Sequence, residues 1–318
     1  MGVEEIMIRD IINKLELSGW LGRRVRWIDM VVMSHISGMT VGVSVVPDGV
    51  CNLKCPSCPV GNSKFGKSPH MSMDTFRKVL DKLQKEVKFR CLALSCYSEP
   101  LLFDDYYKYV EELTKRGIKS FIPTNLNIMP AKKLFDAGLS DLRISVSGFN
   151  GDCYNRHHVG GDVEVVKRNM KDLVKIVGNT SVMVHYHRYE DNLSDLPLMK
   201  RYAEGLGFEF SSCKAYYRPA EKAIYPDGVY ADSGYLSTVD PSHYNISCRS
   251  HYKQLLIMSD CRVRVCCHVI GEEYFLPDVN YLTTPIKEIR RKQKQMEICV
   301  DCKSLGYHVL YNDNRLEK

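Results

Sequence analysis

Residues 40–58 read TVGVSVVPDGVCNLKCPSC and join a run of apolar, β-branched residues to three closely spaced cysteines. The apolar run is typical of a buried β-strand. The cysteines follow at C-x3-C-x2-C spacing, as Cys51, Cys55 and Cys58. Such a loop can hold three corners of a [4Fe–4S] cube and leave the fourth iron open to a ligand that is not protein. The alternative is a zinc site completed by a distant residue such as His70.

The chain beyond this stretch alternates short β-like runs with amphipathic helical runs. This alternation predicts parallel strands joined by helical crossovers. The predicted fold class is therefore α/β, a partial (β/α)6 barrel similar to a TIM barrel, followed by a loop-rich C-terminal part. Ser72, Asp105 and Ser194 are the candidate helix caps. Strands are predicted at 40–47, 90–96, 119–124, 141–147, 181–188 and 207–216, and helices at 73–87, 104–116, 129–137, 162–177 and 194–206.

Polar residues collect just after successive predicted strands. The cysteine loop follows the first strand, SEP (98–100) follows the second, and TNLN (124–127) follows the third. In barrels of this kind the functional residues lie at the carboxyl ends of the strands. We therefore expect a site where these three segments meet.

The alternation ends near residue 217, where a tyrosine-rich stretch and a second group of cysteines begin. This change predicts three parts. They are an N-terminal helical extension (1–39), the partial barrel (40–217) and a C-terminal domain (218–318).

Charge, hydropathy and cysteine content argue against some classes of protein and favour others. The 318 residues carry a net charge of +6 without a basic run interleaved with aromatics, so nucleic-acid binding is not expected. Neither a membrane-spanning apolar run nor a signal peptide is recognisable, so we expect a cytoplasmic protein without a membrane partner. Thirteen cysteines in a reducing compartment favour metal binding or chemistry over disulfides.

The cysteine loop after a first strand resembles the cluster loop of the radical S-adenosylmethionine (SAM) superfamily. CYSEPLL (96–102) resembles the turn after the family's second strand, with Tyr97 and Ser98 where a glycine pair is usual. The resemblance implies that the backbone at Ser98 and the carboxylate of Glu99 bind the amino group of SAM.

Two later segments extend the resemblance, which covers about residues 40–318. IPTNLN (122–127) resembles the family's TNG turn, with Asn125 in the key position and Leu126 in place of glycine. LRISVSGFN (142–150) resembles the next strand, which implies that Ser145 faces the cofactor. Arg188 is a candidate ligand for the SAM carboxylate or for an anionic substrate, and a salt-bridge role is the alternative.

The C-terminal cysteines resemble those of the SPASM and twitch domains attached to this superfamily. Cys261 stands where that pattern has a glycine, and no cysteine follows Cys302. The resemblance therefore implies the shorter, twitch-like form with one auxiliary [4Fe–4S] cluster. A structural zinc site built from the same thiolates is the alternative, and the assignment shifts if Cys261 or Cys267 is also a ligand. The implied ligands are Cys248, Cys266, Cys299 and Cys302.

In this superfamily SAM binds the open iron, and its reductive cleavage gives a 5′-deoxyadenosyl radical that abstracts hydrogen from the substrate. A cluster closed by four thiolates suits electron transfer. Cys213, in the last predicted barrel strand, is a candidate hydrogen donor, and a small buried apolar residue is the alternative. Alternation places His185 and His187 on one face of a strand, which any barrel interior allows. Five tyrosines are interpreted either as lining a polar substrate or as covering the cluster: Tyr216, Tyr217, Tyr225, Tyr230 and Tyr235.

The sequence thus predicts a radical SAM oxidoreductase or epimerase in natural-product biosynthesis. The expected substrate is a small polar molecule such as a carbohydrate, an aminoglycoside or a nucleoside, and the expected electron donor is a flavodoxin or ferredoxin. The alternative is a maturase that epimerises or cross-links a ribosomal peptide, which the few residues before the first strand weakly disfavour. The alternative of another class is a zinc or iron–sulfur binding protein without SAM chemistry.

Overall fold

The computed structural model describes residues 39–62, 68–95, 97–215, 248, 250–304 and 308. The predicted N-terminal helical extension falls outside these residues, except for residue 39. The five tyrosines of the C-terminal prediction, at 216, 217, 225, 230 and 235, also lie outside them. Within the described ranges, no helix combines the length and the apolar character that crossing a bilayer requires.

Six parallel strands alternate with helices up to residue 214, each strand pairing with the next along the chain. The predicted α/β fold class is confirmed, and the sheet is open, as a partial barrel requires. The strands are β1 Met39–Val43, β2 Phe89–Ala93, β3 Ser120–Thr124, β4 Asp141–Val146, β5 Ser181–Arg188 and β6 Glu209–Lys214. The helices are α1 Pro59–Asn62, α2 Met73–Glu86, α3 Tyr107–Lys115, α4 Lys132–Asp136, α5 Gly151–His157, α6 Val163–Leu173 and α7 Leu196–Gly205.

Helix α2 shows why the sequence forms a crossover helix at this point. Ser72 is its N-cap, and its hydroxyl accepts a hydrogen bond from the Thr75 amide at 3.1 Å. Apolar residues at helical spacing then face the sheet, and four of them are buried.

The two other predicted caps, Asp105 and Ser194, are wrong. Helices α3 and α7 begin one residue later, after Tyr106 and Asp195, and neither residue caps its helix with a side-chain hydrogen bond.

Strands β4, β5 and β6 present two different faces. On β5, Val182, Val184 and Tyr186 are buried in the core that the strands share with the helices. The alternate residues are only half-buried. Residues in register on parallel strands point to the same side, so this second side continues across the three strands. We call it the inner face, and its residues at the carboxyl half are Ser145, Met183, His185, His187, Ser211 and Cys213.

The C-terminal region extends the same sheet. β7 pairs in parallel with β1, so β1 lies between β2 and β7, and β8 and β9 continue the sheet antiparallel. The sequence pattern did not indicate these strands, because runs of three to six residues are too short to show a period. The division of the chain into three domains stays a prediction. The elements are β7 Gln254–Ile257, β8 Arg262–Arg264, β9 Phe275–Asn280, α8 Ser250–Lys253, α9 Ile286–Gln295 and α10 Glu297–Ser304.

Candidate functional site

The three-cysteine loop lies at the carboxyl end of β1 and closes with a tight turn. The Cys58 amide donates to the Cys55 carbonyl at 3.1 Å, and the Leu53 amide donates to the Cys51 sulfur at 3.4 Å. Helix α1 follows at once and approaches the loop closely at Gly61. A Cβ atom at Gly61 would lie 2.2 Å from the Cys55 carbonyl oxygen. Only glycine therefore fits this position without moving the loop backbone.

The electrostatics of the loop fit a metal cluster. Burial raises the pKa of Cys55 to about 12, and the neighbouring Cys58 and Cys51 add to the effect. Burial also raises the pKa of Cys51. Such thiols resist ionisation beside one another, and a cationic metal core reverses this by binding them as thiolates. The residue types and their positions fit a [4Fe–4S] cluster held by Cys51, Cys55 and Cys58.

Asn125 connects the turn after β3 to this loop. Its Nδ2 donates to Asn52 Oδ1 at 2.9 Å and lies 3.8 Å from the Cys51 sulfur. Its Oδ1 accepts from the Asn127 amide at 2.9 Å, which holds the side chain in place. The structure thus brings Asn125 to the first cysteine, as the site predicted from the strand ends requires.

Glu99 connects the turn after β2 to the turn after β3. Its carboxylate accepts from the Thr124 hydroxyl and the Asn125 amide, both at 2.8 Å, and from the Leu101 amide at 3.1 Å. The side chain is 3% exposed, and burial raises its pKa. These contacts make Glu99 a brace between two turns of the site. Its binding to the amino group of SAM stays a prediction, as does the role of the Ser98 backbone.

Two of the residues that stand in place of the family's glycines, Leu126 and Tyr97, have structural explanations. Leu126 has a φ of 53°, the left-handed conformation that favours glycine, and its side chain is fully buried in the core. Tyr97 turns into a small apolar cluster with Val60, Met258 and Phe275. Cys51 and Cys58 pack against this cluster, so Tyr97 joins the cysteine loop to the C-terminal strands.

The cysteine loop also contacts residues that follow helix α5. His158 Nδ1 lies 3.8 Å from the Cys55 sulfur, and its Nε2 lies 3.0 Å from the Ser147 hydroxyl. Burial, with a smaller effect from His157, lowers the pKa of His158 to about 3, so the ring is neutral. The Lys54 amide donates to the Val159 carbonyl at 2.8 Å. The segment that follows α5, with His158 and Val159, thus holds the far side of the cysteine loop.

Ser145, His185 and Ser211 lie in register on β4, β5 and β6. Cys213 is the register partner of His187, and its sulfur lies 3.3 Å from His185 Nε2. Cys213 is half-buried, unlike the small buried apolar residue of the alternative interpretation.

Arg188 ends β5 at the same edge of the sheet, and its carbonyl accepts from the Ala215 amide at 2.8 Å. The next residue, Tyr189, reaches the cysteine loop, where its hydroxyl lies 2.6 Å from that of Ser57. This contact places the end of β5 beside the loop. The roles of Ser145, Arg188 and Cys213 remain predictions.

The C-terminal cysteines come from separate elements and meet in space. Burial raises the pKa of Cys299 to about 12, with Cys248 adding to the effect, and burial with Cys248 and Cys299 raises that of Cys302. Burial raises the pKa of Cys266, and Cys267, Cys299 and Cys248 add to the effect. The four predicted ligands thus affect one another electrostatically, and their binding of a shared cluster stays a prediction.

The structure assigns a different place to Cys261. It has a φ of 66° in the turn between β7 and β8, where its amide donates to the Met258 carbonyl at 2.9 Å. Its side chain is 3% exposed and belongs to the main core. Cys261 therefore occupies the left-handed position of a hairpin turn.

A groove of about 690 Å³ lies at the opposite edge of the sheet. Its walls come from the amino ends of β3, β4 and β5, and they include Lys119, Asp141 and Ser181. Since the cysteine loop lies at the carboxyl ends of the strands, this groove is remote from the site.

Comparison with known proteins identifies the domain. The family model of the radical SAM superfamily matches residues 45–197, a span that includes the cysteine loop and the turns after β2 and β3. A probable GTP 3′,8-cyclase of Methanococcus maripaludis (strain C5 / ATCC BAA-1333) is 31% identical over 170 residues, 52% of this chain and 55% of that protein. The chain thus spans about half the length of the curated relatives that it matches.

Solved structures extend the likeness to the fold of most of the chain. SuiB of Streptococcus suis, bound to its precursor peptide SuiA, superposes with a TM-score of 0.59 at 13% identity, covering 90% of this chain and 76% of SuiB. BtrN, in complex with AdoMet and 2-DOIA, superposes with a TM-score of 0.51 at 15% identity, covering 84% and 88%. At these identities the likeness concerns the fold alone.

Proposed function

We propose, starting from the radical SAM domain formed by residues 45–197, that this chain is an enzyme that abstracts hydrogen from a small polar substrate. The observation that carries the proposal is the three-cysteine loop held at the carboxyl edge of the parallel sheet, beside an inner face with polar side chains. Catalytic residues collect at this edge in barrels of this type.

The described side chains have separate roles in the proposed site. Cys51, Cys55 and Cys58 hold the cluster, and Asn125 orients their loop through Asn52. Glu99 fixes the turns on either side of the place where SAM binds. A reduced cluster and SAM bound there would supply the radical chemistry that removes a hydrogen atom from the substrate.

The inner face favours a polar substrate over an apolar one. Ser145, His185 and Ser211 offer hydroxyl and imidazole groups in one row across three strands, and such groups pair with hydroxyls or phosphates of a ligand. The curated relative is named for a reaction of GTP. Among carbohydrates, aminoglycosides and nucleosides, we therefore favour a nucleoside or nucleotide.

The fate of the substrate radical depends on the other cysteines. Cys248, Cys266, Cys299 and Cys302 would hold an auxiliary cluster closed to substrate, which suits transfer of an electron from the substrate radical in a dehydrogenation. Epimerisation instead needs a hydrogen donor such as Cys213. A flavodoxin or ferredoxin in the cytoplasm would deliver the first electron, within a pathway of natural-product biosynthesis.

The test uses the full chain, reconstituted anaerobically with iron and sulfide. About eight irons per chain, counting four for each cluster, and release of 5′-deoxyadenosine on reduction with SAM are expected. Replacing Cys51, Cys55 and Cys58 with alanine should abolish that release, whereas Cys91→Ala, a thiol on β2, should leave it intact. Stoichiometric zinc without SAM cleavage would instead identify a metal-binding protein without this chemistry.

Substrate class is tested separately with the active enzyme. Candidate nucleotides, sugars and peptides are each supplied with deuterium on carbon, and deuterium in 5′-deoxyadenosine identifies the class that is attacked. Transfer from a peptide and from no small molecule would favour the maturase alternative.

A further inference from the structure

Three ligand-type side chains that belong to neither cysteine set meet on the inner face. His185 and His187 are alternate residues of β5, and Cys213 is the register partner of His187 on β6. Their ligand atoms all lie within 4.8 Å of one another, and Cys213 Sγ lies 3.3 Å from His185 Nε2. A tetrahedral ion with bonds of about 2.0–2.3 Å places its ligand atoms about 3.3–3.6 Å apart. The separation of Cys213 Sγ and His185 Nε2 lies within this range.

The contacts of His185 fit the tautomer that metal binding requires. The Ser211 hydroxyl donates to the Met183 sulfur at 3.3 Å, and the same oxygen lies 2.7 Å from His185 Nδ1. When the hydroxyl proton points to Met183, the oxygen accepts from Nδ1–H. Nε2 then carries the lone pair, and it is Nε2 that faces the Cys213 sulfur. Imidazoles that bind metals are usually held in this way, with the second nitrogen donating to a fixed partner.

We propose that His185, His187 and Cys213 bind a single divalent transition ion of the zinc class. Two imidazoles and one thiolate are ligands that Zn²⁺ favours, and three protein ligands leave a fourth position open. The site lies on the half-buried inner face, so the open position accepts an oxygen of a polar ligand, such as a hydroxyl or a phosphate. The ion would hold that ligand and polarise it as a Lewis acid.

Metal binding here competes with the predicted role of Cys213. A thiolate bound to the ion carries no proton and donates no hydrogen atom. The proposal does not rest on SAM chemistry, since zinc binding is measured without turnover. A chain that binds zinc and fails to cleave SAM would keep this proposal and lose the proposed function.

The experiment adds zinc to the anaerobically reconstituted full chain and measures the zinc retained after desalting. We expect about one ion per chain beyond the iron. X-ray absorption at the zinc edge should show about one sulfur at ~2.3 Å and two nitrogens at ~2.0–2.1 Å. Cys213→Ala and His185→Ala should abolish retention, and Cys91→Ala, a thiol on β2, should not.

A matched serine pair keeps the test independent of folding defects in those variants. Ser211→Ala removes the partner of His185 and should weaken zinc binding about 10–100-fold in a chelator competition. Ser212→Ala, the next residue along β6, should not change it. Equal affinity in the two serine variants, retention by Cys213→Ala, or failure of the wild type to retain zinc would overturn the proposal. So would an environment of four sulfurs, which places the zinc at a cysteine set.

Discussion

The two sets of cysteines are assembled in opposite ways. Cys51, Cys55 and Cys58 come from one loop of eight residues, and turns from β3 and β5 hold that loop in place. The C-terminal set comes from a residue before α8, one after β8 and two in α10. Local spacing alone brings the first set together, whereas the second forms only when β7 to β9 have folded. The comparison teaches that one centre depends on a few close contacts and the other on the fold of a whole region.

The largest expected effect tests the close contact between helix α1 and the loop of Cys51, Cys55 and Cys58. In Gly61→Ala the new Cβ collides with the Cys55 backbone, so the loop must move. We expect release of 5′-deoxyadenosine to fall at least tenfold, because a small misplacement of the loop raises the activation free energy. A tenfold fall corresponds to about 1.4 kcal/mol. Iron should fall by about half in the same sample.

Gly205→Ala is the matched control, since a Cβ there meets no atom within 4 Å. It should retain full iron and activity. Equal behaviour of the two glycine variants would show that α1 does not seat the loop.

The next effect separates the two sets. Cys299→Ala should remove about four irons and stop product formation, because the auxiliary centre loses a ligand. SAM cleavage should continue, since the first set does not include this residue. Iron analysis and 5′-deoxyadenosine measured beside product test this, with Cys91→Ala as the control. Complete loss of SAM cleavage would mean that the two centres are not independent.

A smaller effect is expected at the link between the β3 turn and the loop. Asn125→Ala removes the hydrogen bond to Asn52 and the acceptor for the Asn127 amide. The two together are worth about 1–2 kcal/mol, so SAM cleavage should slow about 5–30-fold with iron unchanged. Asn125→Asp retains the acceptor and loses the donor. If Asn125→Asp cleaves SAM as slowly as Asn125→Ala does, the donor to Asn52 carries the effect.

The smallest effect tests whether the second set includes Cys261. Glycine at this left-handed position relieves about 1–2 kcal/mol of strain and loses a buried thiol together with some chain entropy. Cys261→Gly should therefore change the free energy of unfolding by less than about 1 kcal/mol and leave the iron count unaltered. Urea denaturation and iron analysis measure both. A loss of about four irons would make Cys261 a ligand.

The first set could be predicted from sequence because its information is local. The spacing of Cys51, Cys55 and Cys58 predicts the cluster loop, and runs of five to eight apolar residues predict the six parallel strands. The turn at Leu126 was also recognisable from its neighbours, although leucine replaces glycine there. The structure adds the reason, a left-handed backbone compensated by complete burial of the side chain.

What sequence reasoning missed depends on contacts between distant residues. His158 lies far along the chain from Cys55, and no local pattern indicates their approach. Gly61 carried a weak signal, a glycine within a short helix directly after the third cysteine. The caps predicted at Asp105 and Ser194 failed because Tyr106 and Asp195 precede those helices, and end positions are set by packing as much as by propensity. The strands β7 to β9 were missed because they are short and because their pairing, β7 with β1 and then β8 and β9 in turn, decides their conformation.

The position of β1 between β2 and β7 has a consequence for the order of assembly in the cell. One edge of β1 cannot be paired until residues 254–257 have left the ribosome. The cysteine loop follows the end of β1, and it packs against a cluster that contains Tyr97, Met258 and Phe275. Domains fold as units when synthesis supplies their last partners. The packing that supports the first loop is therefore complete only after residues 254–275 have been translated and folded.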